Sequence, residues 1–200
     1  NLRAIRKEAG RGVTLQGDAN RGYKDFGELA GLLGQFEKAG LNVFEDPLEG
    51  TLDDYRRLRG KSAVRIMIDA DARSVRAVRD VVVAASCDII NQHPCQQGGM
   101  GRALMVSHAA ELMGVPTMVG GTGFLGVGTA AYHHLAAVIG LSFPCGELGG
   151  IVDHGFEDDI IREGYPVRDG EAELPDVPGI GVEIDEQSLS KLATEERRVR

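Results

Sequence analysis

The stretch LNVFEDPLEG, residues 41–50, decides how this chain is read. Leu41, Val43 and Phe44 make a short apolar run of the kind that forms a buried strand, and it stops on two adjacent carboxylates, a proline and a turn. A charged side chain at the end of a buried strand is costly unless water, a helix N-terminus or a ligand meets it. One such ending means little. The same ending recurs along the chain, and the recurrence carries the argument.

Val13 to Leu15 leads into Gln16, Gly17 and Asp18, VRIMID ends on Asp69, and DIINQH ends on His93. Each run precedes a segment with apolar residues at helical spacing: KDFGELAGLLGQFEKAG, LDDYRRLRG, SVRAVRDVVVAAS and GRALMVSHAAELMG. PTMVGG followed by GTAAYHHLAAVIG repeats the unit, and FPCGELGG is a last strand candidate. Strand and helix alternate with a period of about 25 residues, the pattern of parallel βα units.

Two architectures use such units, the open doubly wound sheet and the closed (β/α)8 barrel. The doubly wound reading wants GxGxxG after the first strand, and GDANRG does not supply it. A barrel collects its functional residues from the C-terminal ends of several strands, where Asp18, Glu45, Asp69 and His93 all fall. The expected fold class is therefore α/β, a partial TIM-type barrel of about six parallel βα units with an irregular C-terminal tail.

A closed barrel needs eight strands, so the first two must come from a longer polypeptide or from another chain. The segment NLRAIRKEAG reads as a helix with no strand before it. The expected division is residues 1–150 for the barrel units and 151–200 for a turn-rich, charged tail packing outside them, with KLATEERRVR fraying at the end.

Bulk properties remove other function classes. A chain of 200 residues with 42% hydrophobic content buries a real core. Its formal net charge of -8 argues against nucleic acid and against docking to an anionic membrane. No run approaches about 18 consecutive apolar residues, and the first residues do not read as a secretory leader. The cytoplasm is the default expectation. Cys87, Cys95 and Cys145 lack zinc or disulfide spacing and are expected to be buried thiols.

Carboxylates converging on one barrel mouth repel each other unless a cation lies between them, and all-oxygen ligation suits magnesium or another hard divalent ion. Asp71, two residues beyond Asp69, shares its side of the strand and competes for a place in the site.

GDANRGY, FEDPL, IMIDADARS, DIINQHPCQQGGM, GVPTMVGGTGFLGVGTAAYHHLAA and PGIGVEID, taken in order, resemble the barrel domain of the enolase superfamily. Within it the chain resembles the mandelate-racemase and muconate-lactonizing group, over about Asn1 to Glu186. The resemblance implies a magnesium site formed by Asp18, Glu45 and Asp69, Asp69 being preferred to Asp71 by its interval to His93. It also implies a magnesium-dependent enzyme, an isomerase or lyase, that removes the proton α to a carboxylate and stabilises the resulting enolate.

The implied outcomes are racemisation, epimerisation or cycloisomerisation of a small-molecule carboxylate. The alternatives are an acid-sugar-type dehydratase and a non-catalytic or partner-dependent metal-binding relative. Because about six strands cannot close the barrel, a homo-oligomer or additional polypeptide completing it is expected.

The sequence departs from that pattern where relatives of the muconate-lactonizing type end the sixth barrel strand on lysine, because His93 stands there. Their Lys-x-Lys strand is not found in these residues. An imidazole titrates near neutral pH, so His93 is the candidate proton-transfer group. Asn20, Asp71 and Glu147 are candidate substrate-binding or supporting residues, Glu147 as the acid of the eighth-strand candidate. GGTGFLGVG is either a phosphate cradle or a tight, close-packed turn. His133 and His134, inside a helical pattern, read as packing or surface residues.

Overall fold

The computed structural model describes residues 1–121, 124–144, 157–164 and 167–194. Asn1–Met118 with Ile139–Phe143 form one compact unit, and Val119–Val138 with the described part of Pro144–Arg200 form a second.

In the first unit the elements alternate as α1 (Leu2–Ala9), β1 (Gln16–Asp18), α2 (Phe26–Lys38), β2 (Val43–Glu45), α3 (Leu52–Arg59), β3 (Arg65–Ile68), α4 (Val75–Val83), β4 (Ile89–Gln92), α5 (Pro94–Gln97), α6 (Met100–Leu112) and β5 (Thr117–Val119), the last residue of β5 falling in the second unit. The strands form one sheet in the order β1-β2-β3-β4-β5. It is a five-stranded parallel half-barrel, with Asp18 opposite Glu45 and Glu45 opposite Met67 in register.

Among the described residues, the sixth strand candidate shows its start. Thr117 bridges Ser142 in parallel, Thr117 N–H donates to Leu141 and Phe143 N–H donates back to Thr117. Cys145 to Gly150 lie outside the described residues. The first strand begins at Gln16, later than the apolar run suggests, and Val13 is half exposed.

Strand alternation sorts the side chains. Phe44, Ile66, Ile68 and Ile90 face the helices and join Leu29, Leu33, Tyr55, Leu58, Val78, Val81, Val106 and Ala110 in one buried core. Burying each large apolar side chain contributes about 1.5–3 kcal/mol, which fixes register because a one-residue slip would turn this row outward. The other row, with Glu45, Met67, Asn91 and finally His93, is thereby committed to the opposite face.

Each helix starts where its sequence provides a cap. Asp25 accepts from Glu28 N–H, Thr51 and Asp54 complete a reciprocal capping box, and Ser74 accepts from Ala77 N–H. Helix α1 buries no residue of its own. It is held by Arg6, whose guanidinium donates to the carbonyls of Gly10, Val13 and Gly40 and to Asn42 Oδ1 at 2.6–2.7 Å. Gly40, at φ +95, must be glycine, since a Cβ there would lie 2.6 Å from the Arg6 Nε.

The second unit contains α7 (Gly126–Val138), a two-stranded antiparallel ribbon of β6 (Val167–Arg168) and β7 (Glu171–Ala172), and α8 (Glu186–Leu192). In α7 His133 is buried against the Tyr132 ring, as a packing residue should be. Gly126 N–H donates to both carboxylate oxygens of Asp159 at 2.9 Å, so a protein carboxylate holds the helix-start amide that a phosphate would need. A Cβ on Gly128 would lie 2.9 Å from the Phe124 side chain, so close packing accounts for that glycine.

Of the cysteines, Cys87 is buried and desolvation pushes its thiol up to about 12, with Arg59 opposing. Cys95 is exposed, contrary to the expectation of a buried thiol, because it lies in the short helix α5 that leaves the sheet. Cys145 lies outside the described residues. No helix among the described residues is long and apolar enough to cross a membrane.

Candidate metal centre

Three side chains from three consecutive strand ends meet at the C-terminal edge of the sheet. Glu45, Asp69 and His93 each present one donor atom, all within 4.8 Å of one another. Glu45 is the last residue of β2, Asp69 follows β3, and His93 follows β4 as the residue before α5. His93 Nε2 lies 3.3 Å from Asp69 Oδ2, with the imidazole buried and the carboxylate partly open.

Glu45 is 5% exposed, and two neutral amides engage its two oxygens. Asn91 Nδ2 donates to Oε1 and Gln16 Nε2 donates to Oε2, both at 2.7 Å. Because a carboxylate only accepts, these contacts fix which way both amides point. Desolvation pushes Glu45 up to about 7, the Asn91 and Gln16 hydrogen bonds oppose, and the fields of Asp18 and Asp69 push further upward. The site is short of positive charge: a buried carboxylate lies in the field of two others and is met by neutral donors. That donor set fits a hard divalent cation.

Asp18 sits directly across from Glu45 in the sheet and is exposed. Asn20 holds its carboxylate, donating from its backbone to Oδ1 at 2.7 Å and from Nδ2 to Oδ2 at 2.8 Å. Asp71 is turned to a different partner, an ion pair with Arg21 at 2.6 Å. The structure thus brings Asp69, rather than Asp71, to Glu45 and His93. Glu147 lies outside the described residues.

Sequence reasoning did not single out Gln16, Asn91, Arg21 or the role of Asp46. Gln16 and Asn91 stand two residues before Asp18 and His93, so strand alternation alone places them on the same face and was the available signal. Asp46 is 5% exposed, and its carboxylate accepts from Asp69 N–H at 3.2 Å and Ala70 N–H at 3.0 Å. Nothing in the sequence announces that contact.

The family model described as Enolase C-terminal domain-like matches residues 1–188. The chain belongs to this family. Among its relatives, the N-succinylamino acid racemase of Thermus thermophilus is 32% identical over 186 residues, covering 92% of this chain and 48% of that protein. An o-succinylbenzoate synthase of Listeria innocua is 32% identical over 192 residues, covering 95% of this chain and 50% of that one.

A crystal structure of a mandelate racemase/muconate lactonizing family protein from Azoarcus superposes with a TM-score of 0.87 at 24% identity, over 98% of this chain and 54% of that chain, and shows the shared fold. This enolase-type chain spans about half the length of each of these proteins.

Proposed function

We propose that this chain forms the metal-binding half of an enolase-superfamily isomerase that removes the proton α to a carboxylate and allows a proton to be delivered to the opposite face, a racemase or epimerase. The observation that carries this reading is the convergence of Glu45, Asp69 and His93 at successive strand ends, on a family-matched half-barrel.

In this reading Asp18, Glu45 and Asp69 hold magnesium. When bound, a divalent cation there offsets the negative charge that grows on the substrate carboxylate as the proton leaves. The chain's own residues do the rest. Gln16 and Asn91 hold Glu45 by both oxygens, so it keeps its place through turnover without side-chain reorganisation. His93, beside Asp69 and buried at the rim, takes the α-proton from one face of the carbon, and inversion is completed by a proton delivered to the opposite face from a group on the polypeptide that completes the barrel. The burial of Glu45 and His93 limits water there, which strengthens every charge interaction in the site.

The proximity of His93 to the two carboxylates supports a second role for it, a direct ligand to the metal. The two roles separate experimentally, because a ligand contributes to metal affinity and a proton carrier does not.

The substrate is a small carboxylate with an acidified α C–H, and the N-succinylamino acid racemase relative makes N-acylated amino acids the first class to test. The described sheet leaves the far side of β1 unpaired, and we propose that further polypeptide, covalent or associated, completes the barrel there. The test is incorporation of solvent deuterium at the α-carbon of N-succinylamino acids by the intact protein with magnesium. Exchange above the protein-free rate supports the reading; none with any α-acidic carboxylate in a panel rejects it.

A further inference from the structure

Three strand exits carry the candidate ligands, and one buried side chain ties them together. Asp46, immediately after Glu45, has φ +34, in the left-handed region that a side-chain-bearing residue seldom occupies. Such a conformation is disfavoured for a residue that carries a Cβ and persists only where surrounding contacts enforce it. Backbone and side-chain contacts do so here. Asp46 N–H donates to Met67 O at 3.0 Å, and Asp46 O accepts from Arg21 N–H at 2.6 Å. Its carboxylate takes the Asp69 and Ala70 amides.

The chain turns sharply on the Arg21 side as well. Asn20 and Arg21 both have positive φ, at 46° and 59°, which brings the Arg21 guanidinium between two acids. Its terminal nitrogen lies 2.6 Å from Asp71 Oδ2, and its Nε lies 3.9 Å from Asp46 Oδ2. The exits of β1, β2 and β3 are therefore linked through Asp46 and Arg21.

We infer that Asp46 is a positioning residue for the metal centre: its carboxylate fixes the turn that aims Asp69 at Glu45 and His93, while Arg21 draws Asp71 away. The inference rests on the metal-centre reading above. Without the Asp46 carboxylate, the Asp69 and Ala70 amides lose their acceptor, and the turn no longer has one preferred conformation. Asp69 and Asp71 then exchange places at the mouth. Asp46 touches neither substrate nor metal in this account.

The test is manganese binding by the intact protein, followed by electron paramagnetic resonance, beside thermal melting of the same samples. Asp46→Gly removes the carboxylate and also relieves the positive-φ strain, so it separates positioning from folding. The expected result is a Kd raised at least about tenfold with the melting temperature little changed, in keeping with residues that orient metal ligands. Asp46→Asn keeps one oxygen for the two amides and should give an intermediate Kd. It carries the test if the glycine variant does not fold.

A folded variant with the Kd of the unsubstituted protein overturns the inference and leaves the metal-centre reading standing. Absence of saturable manganese binding by the unsubstituted protein overturns the metal-centre reading, and the inference with it.

Discussion

Glu45→Gln isolates the electrostatic strain of the centre. The Glu45 carboxyl is pushed up from an ordinary 4.5 to about 7, first by desolvation and then by the fields of Asp18 and Asp69. Between those two pH values the folded protein keeps a proton that the unfolded chain has released. Metal-free stability therefore falls as pH rises through the window and levels off above it. At about 1.4 kcal/mol per pH unit, the loss between pH 4 and pH 8 is roughly 3 kcal/mol.

Glutamine cannot ionise, so the variant should lack that loss. It offers one acceptor to two donors, Gln16 and Asn91, and leaving one of them unmet costs about 1–3 kcal/mol. That cost is the same at every pH and shifts the level of the curve, not its slope. The assay is urea unfolding of the intact protein across this range in chelator. The slope attributable to Glu45 should vanish in Glu45→Gln, and in the unsubstituted protein it should shrink under saturating magnesium, which favours the ionised form. A variant that keeps the full slope in chelator would refute the assignment of the charge strain to Glu45.

Asn91→Leu removes the donor to Glu45 Oε1 with little change of volume and should weaken magnesium binding about 10- to 100-fold by calorimetric titration. Tyr55, fully buried, donates its hydroxyl to Leu48 O at 2.7 Å, and Tyr55→Phe should cost about 1–2 kcal/mol in urea unfolding. Thr51→Ala breaks the capping box of α3 and should cost about 1 kcal/mol in the same assay while leaving magnesium affinity unchanged.

The parallel βα order and the strand-end positions of Asp18, Glu45, Asp69 and His93 were legible because both depend on alternation. Apolar residues facing the helices fix the register, and every second residue is then aimed at the site whatever the loops do. The choice of Asp69 over Asp71 was only half legible. Alternation puts both on one side, and the Arg21 ion pair that draws Asp71 off depends on positive φ at Asn20 and Arg21, which no periodicity encodes.

Helix α5 escaped for a related reason. Four residues opened by Pro94 are too few to show a helical period, and so the exposure of Cys95 was not foreseen. Asp46 looked like a second acid at a strand end, and its part in holding two backbone amides appears only when β2 and β3 are placed side by side.

The measurement that tests the account most directly is solvent deuterium exchange at the substrate α-carbon by the intact protein and by its His93→Asn variant, with magnesium affinity measured on both. General acid–base catalysis contributes about 10²- to 10⁴-fold. His93→Asn should lose exchange by that order, with magnesium affinity nearly unchanged. Exchange at the unsubstituted rate in the variant, or exchange and magnesium binding lost together, would contradict the assignment of His93 as the group that moves the proton.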